Sequence, residues 1–132
     1  MKEIFKTDYV ELTFDEEVKV LFAKWTKANF SSEQYREVWE KNLEFGFNND
    51  VDFFLSDIIE QKVVTPEDRK WFEESAVPRA IKTGIIKGGI ILGSNPFKRY
   101  YFNNIMKKIG GTNLPFKAFK NKEEAYLWFL SE

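Results

Sequence analysis

The spacing of apolar residues switches between a period of two and a helical period along this chain. Glu3 to Phe14 alternates loosely and ends at Asp15-Glu16-Glu17. Val18 to Trp25 alternates more clearly, with Val18, Val20 and Phe22 on one side and Leu21, Ala23 and Trp25 on the other. Two such runs joined by a short acidic turn predict a β-hairpin. Ser31, with Gln34 three residues on, has the form of a capping box and predicts a helix start. Tyr35, Val38, Trp39, Asn42 and Leu43 then recur at helical spacing, and Gly46 with Asn48-Asn49 is expected to end that helix. Val51 to Leu55 reads as a buried strand that ends at Ser56-Asp57.

Thr65-Pro66-Glu67-Asp68 predicts the next helix. Thr65 caps, Pro66 takes the first helical position, and two acids lie where the helix dipole favours them. Pro78 is expected to kink or split this helix, and Gly84 to stop it. Gly88 to Leu92, extended back to Ile85 or Ile86, reads as another buried strand, with close backbone packing as the reason for Gly88-Gly89. Gly93-Ser94-Asn95-Pro96 ends it and opens a helix with an apolar face of Phe97, Tyr101, Ile105 and Ile109, closed by Gly110-Gly111. Leu114 to Phe119 is a last strand, and Asn121 to Glu124 caps a final helix. The order β-β-α-β-α-β-α-β-α predicts one α/β domain over residues 1–132. Its mixed sheet is mostly parallel, begun by an antiparallel hairpin and covered by helices.

Charge divides the chain. Between Ala76 and Lys122 there are ten Lys or Arg and no Asp or Glu, whereas the first 75 residues hold 18 acids against 10 bases. The net charge of −1 hides this polarity. It is expected either to attract an anionic ligand or partner, or to hold the two halves together within one fold. The absence of Cys and His removes disulfides, thiolate chemistry, the usual serine triad and His-ligated zinc. No cofactor or metal is indicated. The pI near 5.7 argues against a nucleic-acid partner. No run nears the roughly 20 apolar residues that span a bilayer, and Met1 to Phe5 lacks the long apolar run of a signal peptide. A cytoplasmic protein without stable membrane insertion, monomeric or homodimeric, is expected.

Several segments resemble the STAS-like proteins, the fold of anti-sigma-factor antagonists and of sulfate-transporter tails. The closer likeness is to small bacterial single-domain proteins grouped as STAS/CRAL-TRIO-like. It is carried by Phe54-Leu55-Ser56-Asp57, Thr65-Pro66-Glu67-Asp68 with Trp71, Pro78 to Gly84, and Glu123 to Trp128. The resemblance implies a non-catalytic regulatory or binding module. In the antagonist branch an Asp-Ser pair after a central strand carries a phosphorylated Ser. Here Asp57 is followed by Ile58, and Ser56 precedes it, so that switch does not carry over.

In an open α/β sheet, ligands bind outside the carboxyl ends of the strands. Ser56-Asp57 and Gly93-Ser94-Asn95 leave two such ends. If their strands are neighbours, they frame a crevice to which Lys98 and Arg99 add positive charge. Ser56, Asp57, Gly93, Ser94, Asn95, Lys98 and Arg99 are therefore the candidate site for a protein partner or small anionic ligand. The plainer alternative is that Ser94 or Asn95 caps its helix and Asp57 binds its own loop. An enzyme using Asp57 lacks a visible second group. The aromatic residues, 14 Phe, 5 Tyr and 4 Trp, fit a filled core, or a cavity for an apolar or amphipathic molecule that the chain would carry.

Overall fold

The run from Glu3 to Phe14 holds two strands. In the computed structural model, which describes residues 1–109 and 114–131, β1 (Lys2–Lys6) and β2 (Val10–Asp15) pair antiparallel. The turn between them contains neither Gly nor Pro. The Thr7 hydroxyl makes it, accepting from the N–H groups of Tyr9 and Val10 at 3.2 and 3.1 Å. β3 (Val20–Trp25) pairs antiparallel to β2, and β4 (Phe53–Asp57), β5 (Lys87–Ile91) and β6 (Phe116–Phe119) follow in parallel. The spatial order of the six strands equals their sequence order. The predicted class, a mixed sheet begun antiparallel and continued in parallel under helices, is the observed one.

The helices follow their caps. In α1 (Ser32–Asn48) the capping box of Ser31 and Gln34 is complete. Gly46 stays inside this helix instead of ending it. A Cβ there would lie 3.0 Å from the Phe54 ring, so the glycine lets helix and sheet approach. In α2 (Pro66–Trp71) the Thr65 hydroxyl accepts from Asp68 N–H at 3.2 Å. Pro78 does split this region. A π-helical turn, Phe72–Ala76, widens the chain just before it, and α3 (Val77–Lys82) resumes afterwards. α4 spans Pro96–Ile109, and the expected stop at Gly110-Gly111 lies outside the described residues. α5 (Lys122–Phe129) is capped by the Asn121 side chain on Glu124 N–H at 2.9 Å.

Side chains of period two divide the sheet into two faces. Leu21, Ala23, Trp25 and Phe54 meet Val38, Leu43, Ala80 and Phe102 from the helices on one face. Val20, Phe22, Phe53, Leu55, Ile91 and Phe119 meet Ala125 and Phe129 of α5 on the other. This sorting follows from topology: parallel crossovers are right-handed, and here each steps one strand in the same direction, so α1 to α4 share a face. Gly88-Gly89 fits the expected close approach. A Cβ on Gly88 would meet the Phe116 ring at 2.6 Å, and one on Gly89 the Phe119 ring at 3.0 Å.

α5 is also tied to the hairpin. The Tyr126 hydroxyl donates to Asp15 Oδ2 at 2.9 Å. Burial pushes the Asp15 carboxyl up, but the hydrogen bonds from Tyr126 and from the N–H groups of Val18 and Glu17 outweigh it and hold the pKa below the usual 3.8. A depressed carboxyl stabilises the fold above its unfolded pKa, and that contribution is lost as pH falls through the folded value. Tyr126→Phe is expected to cost about 1 kcal/mol at neutral pH. The deficit should shrink below about pH 4, as urea unfolding at several pH values would show.

Candidate functional site

The two strand ends singled out in the sequence are neighbours. β4 and β5 run parallel with Asp57 opposite Ile91, and Ile58 N–H donates to Ile91 C=O at 3.1 Å. Their exits therefore share one mouth. What fills the mouth comes from α4: the Lys98 ammonium donates to the carbonyls of Ile58, of Ile59 at 2.8 Å and of Gln61 at 3.2 Å. Burial lowers the Lys98 pKa, against the charges of Asp57 and Glu60. Asp57 Oδ1 accepts from Ile59 N–H at 3.1 Å within its own loop. Asn95 Oδ1 accepts from the N–H groups of Phe97 and Lys98 at 2.9 and 3.3 Å, which caps α4. Gly93 takes a left-handed φ of +66° to turn the chain there. Ser94 and Arg99 are exposed, and Ser56 is half-buried. The strand order does not reverse between β4 and β5. The crevice that forms where successive crossovers part to opposite faces thus has no basis here.

Space lies deeper. Ser56 lines a cavity of about 160 Å³ between the helix-covered face of the sheet and a cover made by α1, the π-helical turn, α3 and α4. Phe54 and Ile90 form its floor, Ala76 and Ala80 part of its roof, and Phe102 and Phe116 one flank. Small residues keep it open: Ala76 comes from the π-helical turn, a helical irregularity that recurs at functional sites. Protein interiors hold few voids larger than a water molecule. At the measured cost of buried volume, a space of this size forgoes on the order of 4 kcal/mol. Polar groups are few. Burial pushes the Tyr35 phenol well above its usual range, with Trp39 opposing. The Trp39 indole N–H is buried and makes no well-formed hydrogen bond among the described residues.

A second, open groove of about 420 Å³ adjoins this cavity, and Ile58, Gln61, Val64 and Tyr101 line both. Those four side chains form the partition. Val63, Phe97 and Tyr100 border the groove and are 85%, 84% and 70% exposed. Phe97 therefore leaves the core face that spacing gave it, while Lys98 turns inward. Between the acidic and basic halves, one ion pair is seen among the described residues, Arg79 with Glu40 at 2.6 Å. Within the same residues, no group of three Asp or Glu could hold a metal ion, and no helix is long and apolar enough to cross a membrane.

Compared with known proteins, the chain matches no family model, no curated protein and no solved structure. The class of protein is thus defined by its architecture alone: a single α/β domain with a sequentially ordered mixed sheet and an apolar cavity under its helices.

Proposed function

We propose that this chain is a non-catalytic, cytoplasmic binding module of the STAS/CRAL-TRIO-like kind, and that it holds a small apolar or amphipathic molecule in the cavity between the sheet and α1, α3 and α4. The observation that carries this reading is the cavity itself, about 160 Å³ of space walled by Phe54, Ile90, Ala80 and Phe102. A cavity of about 150 Å³ lined by aliphatic and aromatic groups binds benzene-sized molecules elsewhere. The forgone packing energy favours a fold selected to keep the space. An anionic ligand or protein partner at the strand exits is the less supported reading, because Lys98 already occupies that mouth. Asp57 bonded to its own loop gives no support to catalysis. Titration of isotopically labelled protein with n-hexanol tests the proposal. Chemical-shift changes should converge on Phe54, Ile90 and Phe102; shifts scattered over the surface, or none, would exclude the cavity as the site.

A further inference from the structure

The chain has 21 acidic residues, yet none lines the cavity or the groove beside it among the described residues. The groove is lined instead by Lys62, Arg69 and Lys98. Lys98 is committed to loop carbonyls. Arg69 differs. It is half-buried, its Nε donates to Val64 C=O at 3.0 Å, and its guanidinium lies 4.6 Å from the ring centre of Tyr101. Val64 and Tyr101 are two of the four partition residues.

The neighbouring acid in sequence, Asp68, is already taken by Arg36 and Ser32. The other half-buried arginines, Arg36 and Arg79, have carboxylate partners, and Arg69 forms no ion pair with a described residue. Glu73 and Arg69 act on the Tyr101 phenol in opposite senses, and burial raises its pKa more than either. Arg69 is therefore fixed at its Nε edge and by its ring contact, while the terminal nitrogens of its fork have no hydrogen-bond acceptor among the described residues. Such a planar fork matches a carboxylate or phosphate.

We infer that the ligand is an anionic amphiphile, a hydrocarbon tail with a carboxylate or phosphate head, and that Arg69 receives the head in the groove. This rests on the reading of the cavity as the binding site. The cavity takes roughly six carbons by the benzene benchmark. The remaining chain crosses the partition at Ile58 and Val64 and lies against the exposed apolar border.

Isothermal titration of the wild-type protein with octanoate, octyl phosphate and octanol tests the inference without relying on any variant. At least one anion should bind tenfold or more tightly than octanol. In Arg69→Gln, checked by circular dichroism, that preference should vanish, the anion-to-octanol affinity ratio falling to within about twofold of one. If octanol binds as well as both anions, the anionic head is wrong and the cavity reading stands. If the preference survives in Arg69→Gln, the role of Arg69 is wrong. If none of the three binds, the cavity reading itself fails.

Discussion

Asp68→Ala is expected to lower the unfolding free energy by about 3 kcal/mol, more than any other exchange of one polar side chain in this fold. Asp68 is 2% exposed. Its Oδ1 accepts from Ser32 Oγ and from Arg36 Nε, the latter at 3.1 Å, so one carboxylate joins the first turn of α2 to the first turns of α1. Removing it leaves a hydroxyl and a guanidinium without their acceptor. The cost of stranding such groups exceeds the net worth of the bonds themselves. Arg36 retains 41% side-chain exposure, and water there keeps the loss toward the lower end of the range for buried pairs. Asp68→Asn retains an acceptor and should lose about half as much. The shift in urea midpoint at constant slope measures both.

Ala80→Phe gives the second large effect, and its sign is the informative part. Ala80 is buried on α3 and lines the cavity. In a filled core an added ring costs about 1–3 kcal/mol through strain. In a cavity the same ring finds room, and filling raises stability by about 0.5–2 kcal/mol. The substitution should therefore raise the thermal midpoint and reduce n-hexanol binding at least a hundredfold. A lowered midpoint with hexanol still bound would place the space elsewhere.

Much of the architecture was legible because its local chemistry is unambiguous. Ser31 with Gln34, Thr65 with Pro66, and Asn121 each cap the helix they predicted. Leu55 and its neighbours read as a buried parallel strand because both faces of β4 are covered. The hairpin turn at Thr7 was not legible, since a hydroxyl does there what Gly or Asn usually does. The shared mouth of β4 and β5 was anticipated, but its closure by Lys98 was not. A lysine in a first helical turn carries no sign of which way its amine points. Asp68 read as an ordinary first-turn acid, and only the approach of α1 reveals its second task. The cavity depends on side chains from several distant segments, among them Ser56, Ala76, Ile90 and Phe116. Periodicity sorts faces one element at a time and says nothing of whether volumes from separate segments add up to a full core.

Crystals of the unliganded protein held under xenon pressure address the central claim most directly. Xenon occupies apolar cavities of this size and is not drawn to filled cores. The account predicts one xenon site enclosed by Phe54, Ile90, Ala80 and Phe102. Diffraction data in which those side chains close on one another, leaving no xenon density between the sheet and α3, would contradict it.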